Sequence, residues 1–234
     1  ATFLAAEDQR FYSHDGFDWF GISRALTKNI KAGRIVQGAS TITQQLARTY
    51  FLGREKRWGR KIREAILTIQ IESLFYKEEI LEHYLNGVYF GNHAYGIEAA
   101  ARHYFRKSAD ELGVEEAALL AGLLKAPSYY APHRNYKMAK KRRNWVLDRL
   151  VATRGLKADV AVTLKQLPIR AHEYRARDHV KARFAVEVVR DEIRRLLEID
   201  DLHQQRLRVF TTIDLHQQET ARKALAKELA GKAK

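Results

Sequence analysis

Glu7-Asp8-Gln9-Arg10-Phe11-Tyr12-Ser13-His14-Asp15-Gly16 is the stretch on which the reading of this chain turns. Residues 2–13 read as one helix, with Gly16 ending it or turning the chain. Glu7, Phe11 and His14 then fall at i, i+4 and i+7 along one face. Glu7 is expected beside an aromatic ring and an imidazole, and Asp8, its immediate neighbour, is expected to point elsewhere. Partial desolvation by Phe11 would raise the Glu7 pKa, which suits a base working near neutral pH. The competing reading is a solvated first-turn glutamate beside a capping aspartate, which is what exposed carboxylates usually are. The residues downstream decide between the two.

Working outward, Trp19, Ile22, Leu26 and Ile30 repeat at helical spacing and Gly33 closes that segment, which reads as structural. Gly38-Ala39-Ser40-Thr41-Ile42-Thr43-Gln44-Gln45-Leu46-Ala47-Arg48 follows. Thr41-x-x-Gln44 fits a capping box, so a helix is expected to begin at Thr41. Free backbone N–H groups there, with the Ser40 and Thr41 hydroxyls, would make an anion site; a well-capped helix and nothing more is the alternative. Gln44 faces Arg48 at i+4, so an amide and a cation project together.

Tyr50, Phe51, Leu52 and Trp58 surround Arg54, Lys56, Arg57, Arg60, Lys61 and Arg63. Pattern alone leaves two readings open, an interfacial segment on anionic membrane or a helix packing its apolar side inward. From Arg60 a long helix is expected to about Tyr76. Ile66, Leu67, Ile69, Ile71, Leu74 and Phe75 make it apolar on most sides and predict that it is largely buried. Its polar stripe holds Arg57, Arg60, Lys61, Glu64 and Thr68. Either Glu64 is a carboxylate kept ionised by these cations, tuned apart from Glu7, or it belongs to an i,i+4 ion pair.

Helices are further expected over 77–86, 97–105 and 114–125, the last almost wholly apolar, with a second capping box at Ser108-x-x-Glu111. Between the first two, Gly87, Gly91 and Gly96 mark a turn-rich passage. Pro127 and Pro132 bracket a loop. Residues 136–151 form a basic helix whose charges read as a solvated face. Residues 167–170 and 206–213 read as short strands, with helices over 180–199 and after Asp214.

Composition bounds what these pieces can do. The chain has 234 residues, no cysteine and a net charge of +14. Disulfides and thiolate metal sites are excluded. The charge draws nucleic acid, anionic lipid or phosphorylated substrate, but no zinc-finger spacing or RNP-type aromatic motif supports a nucleic-acid binder. No apolar run of about 18 residues exists to span a bilayer. The chain opens within Thr2-Phe3-Leu4-Ala5-Ala6 with no initiator Met, so an anchor upstream of Ala1 is expected.

These motifs, in this order, resemble the peptidoglycan glycosyltransferases of family 51, the lysozyme-like module of class A penicillin-binding proteins and monofunctional transglycosylases. The resemblance covers roughly residues 2–150. It rests on E-D-x-x-F-x-x-H-x-G at Glu7–Gly16, G-x-S-T-I-T-Q-Q-L at Gly38–Leu46 and R-K-x-x-E at Arg60, Lys61 and Glu64. It continues in Ile80-Leu81-Glu82, Tyr84-Leu85-Asn86, Phe90-Gly91 and Gly96-Ile97, and in Leu123–Pro132. Arg48 stands where the family often has Lys, and Ala131 where a polar residue is usual.

The resemblance implies a mainly α, lysozyme-like domain over 1–155, with 48–63 as a membrane-facing jaw. Residues 156–234 would be a helical extension with a short mixed α/β tail, leading to a transpeptidase domain. No Ser-x-x-Lys or Lys-Thr-Gly occurs in the chain, so the penicillin-reactive site is not expected here. The implied reaction joins lipid II units to a growing β-1,4 glycan strand, inverting the sugar carbon and releasing undecaprenyl pyrophosphate. Glu7 would be the general base, and Glu64, with Arg48, Arg60 and Lys61, would organise the pyrophosphate. His14, Gly38, Ser40, Thr41, Gln44, Gln45, Asn86 and Tyr89 would bind substrate. No organic cofactor is implied; a divalent cation, Mg2+ or Mn2+, would assist. The implied setting is the outer, periplasmic face of the bacterial cytoplasmic membrane, anchored by a transmembrane helix. The alternative class is a lysozyme-like glycosidase or lytic transglycosylase, which needs no cationic cradle.

Overall fold

The computed structural model describes residues 1–34, 38–52, 58–92, 94–172, 183–197, 209, 211 and 213–232. Ala1–Tyr174 forms one compact unit and Arg175–Lys234 a second. The first is built from α1 (Thr2–Glu7), a 3-10 turn (Phe11–Ser13), α2 (Trp19–Ala32), α3 (Ile42–Phe51), α4 (Trp58–Leu74) and α5 (Lys77–Gly87). It continues through α6 (Ile97–Phe105), a 3-10 turn (Ala109–Glu111), α7 (Val114–Leu123), α8 (Pro127–Tyr130), α9 (Tyr136–Ala152) and α10 (Ala158–Gln166). The fold is mainly α, as expected. Among the described residues the only β pairing is an isolated antiparallel bridge between Tyr89 and Tyr95. No helix among them is long and apolar enough to cross a membrane.

The organising element is α7. Its Ala118–Leu123 run is entirely buried, and α9 and α1 pack on it. Small side chains make that close approach possible: Ala5 of α1 meets Ala118 and Ala121, backed by Val146, Leu147 and Leu150 of α9. A second cluster joins α3, α4 and α5 through Ile42, Leu46, Ala47, Ile71, Ile80 and Tyr84, with Phe11 inserted from the turn after α1. The end of α1 is thereby wedged between two packed groups of helices, which fixes Glu7 in space.

Several expectations are corrected. The first helix stops at Glu7, not residue 13, because the chain leaves helical geometry at Asp8 and drops Phe11 into the core. Residues 127–130 form the short α8, with Pro127 in its first turn, rather than a loop. Residues 167–170 are not a strand. Their backbone groups are taken by side chains: Leu167 accepts from Arg143 and Ile169 donates to the Tyr136 hydroxyl. Arg143, fully buried, also donates to the Lys165 carbonyl, so α10 and the segment after it are tied to α9. The second expected strand falls mostly outside the described residues.

The largest correction concerns α4. Ile62, Ile66 and Ile69 are exposed, while Glu64 and Thr68 are buried. The polar stripe turns inward because Thr68 packs against Gly16, where an added Cβ would come within 2.5 Å of the Thr68 methyl. Helix α2 likewise exposes Trp19, Phe20, Leu26 and Ile30, and Gly33 closes it in the left-handed conformation.

The second unit contains α11 (Arg183–Leu197) and α12 (Leu215–Lys232). Ion pairs at i,i+3, such as Arg190–Glu187 and Arg194–Asp191, line the exposed side of α11.

Candidate active site

Glu7 lines an open cavity of about 700 Å³. Three features of the backbone put it there. The α1 C-terminus ends at the cavity edge, the 38–41 strand of loop crosses beside it, and α3 starts immediately afterwards. Thr41 caps α3 through the expected box: its hydroxyl accepts from the Gln44 N–H, and its own N–H donates to Gln44 Oε1. The Thr41 hydroxyl donates to the Gly16 carbonyl at 2.7 Å, closing the loop over the first motif.

Asp8 does not point away from the site. Its carboxylate accepts from the Ile42 N–H at 3.0 Å and pairs with the His14 ring at 3.1 Å. The expected anion site at the start of α3 is therefore already filled by the protein's own carboxylate and by the capping box. His14 is held by Asp8 and does not neighbour Glu7 along a helix. Gln44 is buried in the cap, and the glutamine that faces the site is Gln45.

Gln45 Nε2 donates to Glu7 Oε2 at 3.2 Å, and Gln45 Oε1 accepts from the Tyr84 hydroxyl at 3.1 Å. Burial raises the Glu7 pKa, as expected for a base. The Gln45 hydrogen bond, Arg142 and Lys125 partly oppose this, and Asp8 adds to it.

Arg24, Lys28, Arg48, Lys125, Arg142 and Arg149 line the same cavity. Arg48 alone of these was expected as a ligand. The Arg142 guanidinium lies 3.9 Å from the Trp145 ring centre, a cation–π contact that holds the charge at the cavity wall. Residues 142, 145 and 149 recur at i, i+3 and i+7, so α9 turns one cationic face to the cavity and is not only a solvated helix. That spacing, with an aromatic between two arginines, was the available signal. Gly38, Ala39, Ser40 and Thr41 complete the wall, with Asp8, Asp18 and Gly21.

Glu64, Arg60, Lys61, Asn86 and Tyr89 are not brought to this cavity. Glu64 is 1% exposed and is paired with Lys61. The carboxylate beside Glu7 in the cavity wall is Asp8. Asn86 lies in the last turn of α5, its carbonyl packed under Gly96, and the Tyr89 ring lies tilted against Tyr95 with centroids 4.7 Å apart.

Compared with known proteins, residues 1–151 match the family model described as transglycosylase. Penicillin-binding protein 1A of Haemophilus influenzae is 47% identical over 193 residues, 82% of this chain and 22% of that protein. Penicillin-binding protein 1A of Aquifex aeolicus is 53% identical over 150 residues, 64% of this chain and 21% of that protein. A biosynthetic peptidoglycan transglycosylase of Dechloromonas aromatica is 48% identical over 149 residues, 64% of each. The chain thus spans about a fifth of the length of the two penicillin-binding proteins.

Proposed function

This chain belongs to the transglycosylase family, and from that premise we propose that it is a peptidoglycan glycosyltransferase that polymerises lipid II into β-1,4 glycan strands. In the proposed step Glu7 takes the proton from the acceptor sugar's 4-hydroxyl. The freed oxygen attacks the donor's anomeric carbon from the face opposite the pyrophosphate. The bond from that carbon to the pyrophosphate oxygen breaks, and its electron pair departs with undecaprenyl pyrophosphate, inverting the centre. The observation that carries this reading is the sharing of one cavity by a carboxylate whose proton affinity is raised and six cations. The leaving anion gains charge as the bond breaks, so fixed cations stabilise the transition state more than the ground state. That the loop from Gly38 to Thr41 lines the same cavity supports a contact from Ser40 to sugar or phosphate. The transfer step as proposed does not use Glu64.

Among the described residues no three His, Cys, Asp or Glu side chains gather to hold a metal ion. A Mg2+ or Mn2+ would be held chiefly through pyrophosphate oxygens and water, and would supply positive charge to the leaving group. The exposed apolar residues of α2 and α4, with the charge of +14, support work at an anionic membrane surface, for which the outer face of the cytoplasmic membrane is proposed.

The test is a gel of labelled lipid II incubated with the protein and with its Glu7→Gln variant. Chain growth by the first and none by the second is expected; growth by both sinks the base assignment. Incubation with finished glycan separates the glycosidase reading, because strand cutting is the opposite outcome.

A further inference from the structure

The base does not touch its supports at random. Glu7 has two carboxylate oxygens, and only Oε2 receives a hydrogen bond among the described residues, from Gln45 Nε2. A glutamine amide can present either its NH2 or its carbonyl to a neighbour, and the two ends are nearly the same shape. An ionised carboxylate accepts only, so Glu7 selects the NH2 end. The other end of Gln45, its carbonyl, accepts from the Tyr84 hydroxyl. Both contacts therefore fit the same orientation, and the one to Tyr84 remains after Glu7 has become protonated.

We infer that Tyr84 is a positioning residue for the proposed transfer: by fixing the Gln45 amide it keeps Glu7 Oε2 occupied and reserves Glu7 Oε1 for the acceptor's proton. The inference rests on the reading of Glu7 as the base. The three groups come from three separate segments, α1, α3 and α5, so the relay also sets the distance between them. Tyr84 is itself immobile. Its ring is fully buried with Phe11, Ile42, Leu46 and Ile80, leaving the hydroxyl a single direction to point. Burial first, and then the nearby Glu7 charge, raise its pKa, so the phenol keeps its proton and remains a donor. Without that donor, the carbonyl end of Gln45 is free to swing towards a protonated Glu7 and accept its proton. That trapped state has to be undone before the next addition.

The groups facing Glu7 are Asp8 beside it, Gln45 and Arg48 from α3, Tyr84 from α5, Lys125 after α7 and Arg142 from α9. None of the charged ones is altered in Tyr84→Phe, so a change in pH dependence reports the relay. Gln45 lowers the Glu7 pKa by its hydrogen bond; loosening it moves the acid limb of the rate profile to higher pH.

The experiment compares lipid II polymerisation by the wild type, Tyr84→Phe, Gln45→Met and the double variant, from pH 5 to 9. A neutral hydrogen bond corresponds to a loss of about tenfold at most. Tyr84→Phe is expected to lower kcat by roughly fivefold to tenfold, leave KM unchanged and shift the acid limb upward. It is expected to cause no further loss in the Gln45→Met background. A Tyr84→Phe enzyme with wild-type kcat and pH profile overturns the inference, as do losses that simply multiply in the double variant. If Tyr84→Phe fails to fold, the Gln45→Met profile alone decides, since an unshifted acid limb there removes the relay. Failure of the underlying reading looks different: the wild type does not extend lipid II, or Glu7→Gln extends it as well.

Discussion

The carboxylate of Asp8 accepts a hydrogen bond from the backbone N–H of Ile42 at 3.0 Å across 34 residues of chain. One contact thus joins the residue after the proposed base to the first turn of α3, whose next turn supplies Gln45. Asp8 also holds His14. Replacing it by Ala leaves an N–H of a buried helix end and an imidazole without their partner. The expected loss is about 3 kcal/mol, measured by denaturant unfolding, with polymerisation falling in parallel because Gln45 loses its register against Glu7. Asp8→Asn keeps one acceptor oxygen and should cost about 1 kcal/mol. Equal stability of Asp8→Ala and the wild type would remove Asp8 from this role.

Gly96 has φ +85 and ψ 155, and an added Cβ would lie 2.6 Å from the Asn86 carbonyl oxygen. Backbone atoms cannot move aside as a side-chain tip can, and this region of backbone space is almost closed to other residues. Gly96→Ala should therefore lose about 3 kcal/mol or more. Gly33, at φ +62 with nothing within 4 Å of its would-be Cβ, carries only the left-handed penalty, about 1 kcal/mol. Thermal unfolding of the two variants checks the ranking.

These two sites also mark what was legible. The Thr41 box and the Gly33 cap were, because each is decided by residues three or four apart. The end of α1 was not: Phe11 and His14 sit at helical spacing from Glu7, yet a buried ring and a distant N–H draw the chain out of the helix. For α4, the many apolar residues predict a helix buried on most sides, whereas Ile62, Ile66 and Ile69 are exposed and Glu64 and Thr68 are buried. Its inward face is decided by Thr68 against Gly16 and by Lys61 against Glu64, contacts that periodicity does not carry. Arg142 and Arg149 sit in a run of charge that reads as solvated; only their spacing around Trp145 on the cavity side separates them from Lys137 or Lys141.

Arg142 follows as the next site to alter. It stacks on Trp145 and its charge lowers the Glu7 pKa. Arg142→Gln should reduce kcat/KM about hundredfold, the usual loss for one donor to a developing anion. It should also move the acid limb upward, since the cation that favours ionised Glu7 is gone. Arg142→Lys should recover part of the rate but not all, because an ammonium does not stack flat. Steady-state rates across pH distinguish these outcomes; a variant with wild-type kcat/KM would place the leaving group elsewhere.

Phe20 is 71% exposed and Ile66 52% exposed. Substitution of either costs little packing, within about 0.5 kcal/mol. Phe20→Glu with Ile66→Glu should leave unfolding unchanged while weakening sedimentation with anionic vesicles by about tenfold or more. Unchanged partitioning would mean that the charge of +14 accounts for membrane attraction without these faces, and binding would then disappear at high salt.

Glu7 itself gives a prediction opposite in sign to the others. Its folded-state pKa is raised by burial, so the folded state binds the proton more tightly than the unfolded chain. The stability this contributes is fully present below the unfolded value, about 4.3, and is lost as pH rises through the folded value. At pH 7 the charged carboxylate is therefore a strain on the fold. Glu7→Gln keeps the shape, keeps an acceptor for Gln45 and removes the charge, so it should unfold at a higher temperature than the wild type at pH 7. The gain should shrink as pH falls and vanish near pH 4, where the wild-type carboxyl is already protonated. Calorimetry at the two pH values reads this directly. A variant that is inactive yet more stable at pH 7 marks a residue kept for chemistry at the expense of the fold, whereas lower stability at both pH values would mean that Glu7 is a structural carboxylate.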